Sequence, residues 1–443
     1  MKDKKIAILW YGKEWQSTFI FLLWQNIDPN NITILDGNTK APVPNNINTI
    51  LWENYLDNLN IYDIIIKSPG ISPYDEKILP FADKLTSQTQ IFFQYYKWKV
   101  IWVTATKGKS TTSSIVYLTL QSAGYKVKFV GNIGKPVLEE IELEEKYDYI
   151  VYELSSYMLE WLEKKNYISI LGNIYPDHLG WHNGFENYKN AKLNILKWSE
   201  YNIVNEKLKV ENIKLDFENS ATKFFGEDTD YYFLDGEFFV KWEGELRSKR
   251  SYPGVEKVFE YKWVKLLGKH NIENILSVMV VCDIIWIDYN ILYWVLKDFV
   301  GLAHRMEYIG NLKGIEFYDD AISTTPESTI YAIETFWKQV GCIFLWGEDR
   351  GYDFKELGNI LRKYNIKNIV LFPDSWEKIG KLLGVEFNIL RTTSMKKAVE
   401  FAFENTWKWK VCLLSCASPS YSLWKNFEEK GGEFQKYVKK LGE

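Results

Sequence analysis

The strongest constraint in this chain is a strand, a turn and a helix start in close succession. An apolar run at residues 100–102 leads through small residues into Gly108-Lys109-Ser110, which opens a stretch of helical character. This order is the layout of a phosphate-binding loop. Backbone N–H groups of Lys107 to Thr111 are expected to converge on the phosphates of a nucleotide, with the helix dipole and Lys109 favouring negative charge. Ser110 is expected to bind Mg²⁺ through its hydroxyl.

A Gly-Lys-Ser turn alone is more often an ordinary basic turn on the surface. Here the flanking strand and helix are both present, and acidic, His and Lys signatures follow downstream, so the functional interpretation is favoured. Val103 stands where the common nucleotide-hydrolase loop has its first Gly. The loop is therefore of a different kind from that of the common nucleotide hydrolases.

Composition describes an ordinary globular enzyme. The 443 residues are 46% hydrophobic and 25% charged with a net charge of −4, which argues against a nucleic-acid binder and against a disordered chain. The apolar stretch 275–287 is too short to span a bilayer, and the charged start lacks the pattern of a signal peptide. We expect a cytoplasmic protein without nucleic-acid or membrane partners. Four scattered cysteines are expected to be buried free thiols: Cys282, Cys342, Cys412 and Cys416.

Alternating strand and helix patterns predict an α/β protein of three domains. Residues 1–96 are expected to form a Rossmann-like N-terminal domain. Residues 97–299 are expected to form a central P-loop ATPase domain with a mostly parallel sheet and an antiparallel insertion between Glu206 and Lys262. Residues 300–443 are expected to form a Rossmann-like C-terminal domain.

The chain start resembles a nucleotide-binding turn only in part. A strand at residues 5–9 is followed by Trp10, Gly12 and Trp15, where a dinucleotide-type fold carries three glycines. The next strand ends in Asp36, where such folds place a carboxylate for a ribose or uracil edge.

Acidic residues and histidines follow later strands. Glu153 ends a strand beside the phosphate loop, which suits Mg²⁺, although a carboxylate at a helix N-terminus is about as common there. Each of the four histidines lies next to Asp, Asn or Arg, which weakens the interpretation of a core histidine: His178, His182, His270 and His304.

Taken together, an ordered set of motifs spans residues 5 to about 440: the Thr104 to Thr111 loop, Gly131-Asn132-Ile133-Gly134, Glu153 to Ser156, Asn173 to His178, Lys192, His270-Asn271, His304-Arg305, Asp319-Asp320 and Lys425-Asn426-Phe427. The set resembles the Mur ligase superfamily, whose members make amide bonds in reactions driven by ATP. Within it, the chain is most similar to the branch that joins D-glutamate to UDP-N-acetylmuramoyl-L-alanine in peptidoglycan precursor synthesis.

The resemblance implies a role for each matching residue. Lys109, His178 and Lys192 are implied in catalysis. ATP is implied to contact Thr106, Lys107, Gly108, Lys109, Ser110, Thr111, Asn271, Arg305 and Asp320. Two Mg²⁺ sites are implied, one at Ser110 and Glu153 and one at His178 and Lys192, where Lys192 acts as its carbamate. UDP-N-acetylmuramoyl-L-alanine is implied at Gly12, Asp36, Asn132 and Ser155, and D-glutamate at Thr324, Arg350, Ser420 and Phe427.

The chain departs from the family pattern at Ala105, where the loop usually has Gly, and at Ile322, where many members have Lys. Two rival enzymes stay open within the superfamily, a ligase for another amino acid and a folylpolyglutamate synthase. A rival of another class is a nucleotide-binding module without ligation. The protein is expected to act as a monomer.

Tryptophan is in excess, with 19 residues, and several stand where the backbone or the family pattern favours Gly: Trp10, Trp15, Trp24, Trp102 and Trp346. Trp24 is expected just past a helix, at the C′ position. One explanation is that Trp packs at these places by local rearrangement. The explanation we favour is that the source reads the codon UGA as glycine. Trp181 is expected to be genuine.

Overall fold

The computed structural model describes the chain except residues 1–2, 10–12, 40–42, 44–46, 97–98, 132–135, 140–145, 210–220, 243–253, 267, 348–352, 375 and 419–421. The chain divides into two compact units. The first unit comprises Met1–Trp263 and His270–Val295, and the second unit comprises Val264–Lys269 and Leu296–Glu443. The first unit contains two separate parallel sheets. The division of the chain into three domains, which splits this unit, stays a prediction.

The first sheet of the first unit has five parallel strands in the order β3-β2-β1-β4-β5. Its strands are β1 (Ile6–Leu9), β2 (Ile32–Asp36), β3 (Asn48–Leu51), β4 (Ile64–Lys67) and β5 (Leu85–Thr86). Helices α1 (Lys13–Trp24) and α2 (Gln88–Tyr95) accompany them. The prediction that Trp24 lies past a helix is wrong, because Trp24 is the last residue of α1 and Asn26 takes the left-handed conformation, with φ 57°.

The central sheet of the first unit has six parallel strands in the order β11-β10-β9-β6-β8-β7. Its strands are β6 (Lys99–Thr104), β7 (Val127–Gly131), β8 (Tyr149–Glu153), β9 (Asn166–Leu171), β10 (Ser199–Asn205) and β11 (Ala221–Phe225). Residues 100–104 of β6 are all buried, as expected of a strand covered on both faces. The carboxyl ends of β6, β8 and β9 therefore meet at one edge.

Helices α3 (Lys109–Ser122), α4 (Ser156–Leu159), α5 (Leu179–His182) and α6 (Phe185–Leu193) follow strands of the central sheet, and α7 (Lys269–Ile285) and α8 (Tyr289–Asp298) come after the antiparallel insertion. The antiparallel insertion is confirmed as a three-stranded sheet of β12 (Tyr231–Leu234), β13 (Glu237–Trp242) and β14 (Gly254–Glu260). The insertion is smaller than predicted, because β11 joins the central sheet in parallel with β10.

The second unit is built on a six-stranded sheet in the order β15-β16-β20-β17-β18-β19, in which only β15 is antiparallel to its neighbour. Its strands are β15 (Glu307–Leu312), β16 (Ile315–Asp320), β17 (Val340–Gly347), β18 (Asn368–Asp374), β19 (Asn388–Arg391) and β20 (Val411–Ala417). Its helices are α9 (Pro326–Phe336), α10 (Lys355–Lys363), α11 (Trp376–Leu382), α12 (Met395–Asn405) and α13 (Phe427–Gly442).

Each face of this sheet has its own apolar core. Ile343 and Leu345 of β17 pack with residues of α9, α10 and α11, whereas Cys342 and Phe344 pack with residues of α12 and α13. This alternation follows from the period of two in a strand. All four cysteines of the chain are buried and free, as predicted. Among the described helices, none has the length and apolar character needed to cross a membrane.

Candidate active site

The predicted phosphate loop lies between the end of β6 at Thr104 and the start of α3 at Lys109. Gly108 caps the helix with φ 93°, a conformation that L side chains rarely adopt. A β-carbon on Gly108 would lie 2.5 Å from Asn274 Oδ1 of α7. Both constraints require glycine at this position.

Asn173, which follows β9, holds the loop in shape. Its side-chain Oδ1 accepts from the Lys107 N–H at 2.8 Å, its Nδ2 donates to the Lys107 carbonyl at 3.0 Å, and its carbonyl accepts from the Thr106 N–H at 2.7 Å. The Thr106 hydroxyl also lies 2.7 Å from the hydroxyl of buried Tyr188. These contacts fix the loop backbone before any ligand arrives.

Ser110 and Glu153 lie together at the start of α3 and the end of β8. The Ser110 hydroxyl donates to Glu153 Oε1 at 3.1 Å, and both side chains are buried. The pairing of β6 with β8 brings them together, because Glu153 is in register with Val103. A hydroxyl and a carboxylate are hard oxygen donors, so this pair fits Mg²⁺.

Lys109 and Lys192 converge on the loop carbonyls. Lys109 Nζ donates to the Ala105 and Thr106 carbonyls at 2.9 and 3.1 Å. Lys192 Nζ, from α6, donates to the Ala105 carbonyl at 2.8 Å and to Thr104 Oγ1 at 3.3 Å. Burial, and then repulsion by Lys109, lower the pKa of Lys192 well below its usual 10.5. The uncharged amine is therefore favoured at this position.

His178 precedes α5 in a left-handed conformation, with φ 52°. Partial burial lowers the pKa of His178 below 6.5, Asp177 opposes this effect, and the positive charges of Lys109 and Lys107 lower the pKa further. A neutral imidazole is the form that ligates metals. Asp177 also lies 3.8 Å from Lys107 Nζ, which joins this histidine segment to the loop.

The other predicted residues of the first unit lie at element ends. Asn271 accepts a hydrogen bond at 3.0 Å from Asn274, the residue that faces Gly108, so Asn271 lies one step from the loop. Ser155 caps α4 by accepting from the Met158 N–H, and Asp36 ends β2 and accepts from the Asn38 N–H. Gly12 and Asn132 lie outside the described residues.

In the second unit, Asp320 is buried at the end of β16. Its Oδ2 accepts from Ser323 and Ser415 at 2.5 and 2.8 Å, and its Oδ1 accepts from the Met306 N–H at 3.3 Å. Burial raises the pKa of Asp320 to about 6, against the opposing effect of these hydrogen bonds.

Beside Asp320, four side chains form a polar network: His304, Glu307, Asp319 and Gln435. His304 Nδ1 lies 2.7 Å from Asp319 Oδ2, and Gln435 of α13 donates at 2.9 Å to both Asp319 and Glu307. The hydrogen bond with Asp319 raises the pKa of His304. The protonated imidazole is therefore favoured over the metal-binding form, although three of these side chains lie close enough to share an ion.

The predicted D-glutamate residues are described only in part. Phe427 opens α13, with its ring centroid 6.1 Å from that of His304. Thr324 is half-buried and directly precedes Thr325, which caps α9. Arg305 follows His304 and is half-buried. Arg350 and Ser420 lie outside the described residues.

Four contributing residues were given no role from the sequence: Asn173, Tyr188, Asn274 and Gln435. Only Asn173 carried a usable signal, because it follows a strand of the central sheet, and ligands of α/β sheets bind outside the carboxyl ends of strands.

His182 is fully buried, with Nε2 2.9 Å from Ser156 Oγ and Nδ1 3.2 Å from Glu160 Oε2. It supports α4 and takes no place among the loop cations.

A phosphate loop at the carboxyl edge of a parallel sheet, with a buried serine–glutamate pair and two lysines beside it, is the arrangement of a nucleotide-dependent α/β enzyme. Residues 103–282 match the family model for the Mur ligase middle domain. A UDP-N-acetylmuramoylalanine–D-glutamate ligase from Clostridium tetani is 30% identical over 466 residues, covering 99% of this chain and 97% of the relative. One from Clostridium botulinum is 31% identical over 408 residues, covering 89% of this chain and 86% of the relative.

Solved structures show the same fold. MurF ligase from Thermotoga maritima in complex with ADP aligns with a TM-score of 0.60 at 17% identity, covering 98% of this chain and 95% of that one. MurC from the same organism aligns with a TM-score of 0.57 at 15% identity, covering 99% of this chain and 100% of that one. The chain belongs to the Mur ligase family, in the group of UDP-N-acetylmuramoylalanine–D-glutamate ligases.

Proposed function

We propose that this protein is an ATP-dependent ligase that joins D-glutamate to UDP-N-acetylmuramoyl-L-alanine in the synthesis of peptidoglycan precursors. The observation that carries the proposal is the cluster of Lys109, Ser110, Glu153 and Lys192 around a preformed phosphate loop. The names of the relatives that match almost the whole chain support this choice of substrates. The protein is proposed to act in the cytoplasm, as a monomer.

The reaction requires two anions to meet. A carboxylate oxygen of the sugar-linked alanine attacks the γ-phosphorus of ATP, ADP leaves, and an acyl phosphate forms. The neutral amine of D-glutamate then attacks the acyl carbon and gives up one proton, and inorganic phosphate leaves from the tetrahedral intermediate as the amide forms. Positioned positive charge is the main source of rate in such transfers. Lys109, beside the loop, supplies such charge.

Ser110 and Glu153 would hold one Mg²⁺, and His178 with the carbamate of Lys192 would hold a second. Bound there, these ions would neutralise charge on the phosphates and on the acyl group. The low pKa of Lys192 supports the carbamate, because only the uncharged amine attacks CO₂. In that step the neutral amine nitrogen attacks the carbon of CO₂, the N–C bond forms, one proton is released from the nitrogen, and a carboxylate-like anion replaces the neutral amine.

The remaining contacts are assigned by family position. The loop residues Thr106 to Thr111 with Asn271, Arg305 and Asp320 would bind ATP. Gly12, Asp36, Asn132 and Ser155 would bind the UDP-sugar substrate, and Thr324, Arg350, Ser420 and Phe427 would bind D-glutamate.

ATP turnover with UDP-N-acetylmuramoyl-L-alanine and a panel of amino acids tests the proposal. Phosphate release should require both the UDP-sugar and D-glutamate. Release with a different amino acid would assign the chain to another ligase reaction, and folate-dependent release would indicate a folylpolyglutamate synthase. Nucleotide binding without any release that depends on an amino acid would indicate a binding module.

A further inference from the structure

Four tryptophans of this chain hold a left-handed backbone: Trp161, Trp286, Trp337 and Trp409, with φ of 57°, 66°, 52° and 69°. Bulky side chains are strongly disfavoured in this region, which outside glycine belongs mainly to Asn, Asp and His. Among the described residues, 13 positions other than glycine have positive φ, and tryptophan is the most frequent type, ahead of three asparagines. The backbone at these four positions is that of glycine.

The end of α7 shows this by internal comparison. The Trp286 N–H donates to the Asp283 carbonyl and the Ile287 N–H donates to the Cys282 carbonyl, which is a Schellman motif. Helices α1, α3 and α10 end with the same pair of hydrogen bonds. Their left-handed residues are Asn26, Gly124 and Asn365. Trp286 occupies the position that three other helices give to Gly or Asn.

Trp161 and Trp409 are third residues of tight turns. In the turn from Leu159 to Leu162, closed by a 3.2 Å hydrogen bond, Glu160 has φ −60° and ψ 117°. This is a type II turn, whose third residue needs positive φ and is typically glycine. Trp409 holds the same place in the turn closed by the Lys410 N–H and the Trp407 carbonyl.

Trp337 ends α9 with φ 52° and ψ −130°. These angles match the first central position of a type II′ turn, which is dominated by glycine. Its side chain is 66% exposed, so no core packing compensates for the backbone conformation.

Two further tryptophans are fully buried and pack against other aromatic rings, but their indole N–H groups have no hydrogen-bond acceptor among the described residues. Trp102 in β6 and Trp346 in β17 leave Nε1 without a hydrogen bond among the described residues. Buried tryptophans usually satisfy this donor. Trp181 and Trp424 do so: their Nε1 atoms donate to the Gly70 carbonyl at 3.2 Å and to Glu433 at 2.5 Å. These four tryptophans thus fall into two pairs, one whose indole N–H has an acceptor and one whose indole N–H has none.

We infer that the native residue is glycine at Trp161, Trp286, Trp337 and Trp409, and also at Trp102 and Trp346, each encoded by UGA and read as glycine in the source. Trp181 and Trp424 are genuine and encoded by UGG. The inference extends the sequence hypothesis to four positions that only backbone angles identify. Trp10 lies outside the described residues, as does the side chain of Trp15.

The competing explanation is a docking surface made of exposed tryptophans. Trp286, Trp337 and Trp409 are 60%, 66% and 78% exposed, as such a surface would need. A docking surface requires tryptophan in the native protein and therefore UGG codons. It gives no reason for the left-handed backbone.

The codons and the native peptides test the inference directly. The gene should carry UGA at the four left-handed positions and at Trp102 and Trp346, with UGG at Trp181 and Trp424. Mass spectrometry of the protein from its source should show glycine at each UGA position. UGG codons with tryptophan masses at Trp161, Trp286, Trp337 and Trp409 would overturn the inference.

Recombinant protein provides a second test that needs no source material. Replacing the four left-handed residues together (Trp161→Gly, Trp286→Gly, Trp337→Gly and Trp409→Gly) should raise the melting temperature by several degrees, because backbone strain is relieved. The control Trp424→Gly should lower it, because a packed and hydrogen-bonded indole is lost. A lower melting temperature in both the fourfold variant and the Trp424→Gly control would contradict the inference. Neither measurement depends on ligase activity, so failure here is distinguishable from failure of the proposed function.

Discussion

Lys192 illustrates what single residues contribute to this site. Its type and spacing were visible in the sequence, but its environment was not, because Thr104 and Ala105 lie more than 80 positions earlier in the chain. The fold removes the amine from water and places it near Lys109. Both effects lower the pKa and favour the neutral amine. The neutral amine is the nucleophilic form of this nitrogen.

Lys192→Ala should reduce kcat by about 10²-fold or more, the order expected when one preorganised electrostatic group is removed. A short added carboxylate such as acetate should restore part of the activity, because it would replace the carbamate oxygens. Lys189→Ala, on the same helix and in an ion pair with Glu186, is the matched control and should retain activity. Full activity of the Lys192 variant without acetate would make this lysine structural only.

Arg350→Ala should raise the KM for D-glutamate by roughly 10- to 100-fold and change the KM for ATP little, because hydrogen bonds between charged groups contribute about 1.5–3 kcal/mol. Arg362, which pairs with Glu386 on the surface, is the control arginine. Steady-state kinetics with each substrate varied in turn measure the effect. Equal increases in both KM values would remove Arg350 from the amino-acid site.

Asp320 should make stability depend on pH. Its pKa is 3.8 in the unfolded reference and about 6 when folded, so the folded protein holds the extra proton between these values. The unfolding free energy should therefore fall as pH rises through this window, by about 3 kcal/mol at most. Asp320→Asn lacks this titration and should gain stability relative to the parent as pH rises from 4 to 7.

Urea unfolding at several pH values between 4 and 8 measures the difference between Asp320→Asn and the parent. The exposed Asp353, replaced in the same way, controls for the loss of a carboxyl group. A constant difference at all pH values would show that Asp320 does not titrate in this window.

At the scale of elements, α13 contains two adjacent glycines, Gly431 and Gly432, whose replacement by alanine should have opposite effects on stability. A β-carbon on Gly431 would lie 2.2 Å from His304 Nδ1 and 2.6 Å from Asp319 Oδ2, whereas one on Gly432 would meet nothing within 4 Å. Gly431→Ala should therefore destabilise the protein by about 1–3 kcal/mol. Gly432→Ala should stabilise it by up to about 1 kcal/mol, through helix propensity.

Chemical denaturation of the two glycine variants supplies the comparison, since the helix and the substitution are the same. ATP binding by Gly431→Ala should also weaken, because the displaced His304 and Asp319 adjoin Arg305 and Asp320, which are proposed to bind ATP. Equal stabilities for the two variants would show that α13 packs less closely on the polar network than its contacts indicate.

The strands predicted individually from the sequence were those with apolar runs, such as β1, β6 and β8. Four strands that were missed lie at sheet edges: β3, β5, β15 and β19. An edge strand is partly exposed and carries polar residues, so it lacks an apolar run. The interior strand β10 was missed because its sequence includes buried polar residues, among them Asn202, which bonds to the Leu196 carbonyl.

The prediction of site residues from the sequence was limited in a similar way. Motifs located Ser110, Glu153 and Asp320 because each stands at the start or end of a regular element. Gln435 could not be found in this way, since its partner Asp319 is 116 positions away and a glutamine on a helix has no distinctive spacing. Long-range pairing is decided by the fold and leaves little trace in local sequence.

At the scale of the whole molecule, the second unit carries the means to fold alone. Its sheet has apolar cores on both faces, each completed by helices of the same unit. A fragment comprising residues 296–443 should therefore show a single cooperative unfolding transition. Circular dichroism during urea titration measures this. A gradual loss of signal without a transition would show that this part of the chain depends on the rest.

The burial of Lys192 also implies that folding comes before any reaction of its amine. In a newly made chain this lysine is exposed to water and holds a proton at neutral pH, and a protonated amine cannot react with dissolved CO₂. Only after β6 and α6 have come together does the nitrogen lose its proton readily. The proposed carbamate of Lys192 would therefore form after folding and not before it, and its formation would depend on the CO₂ available to the folded protein.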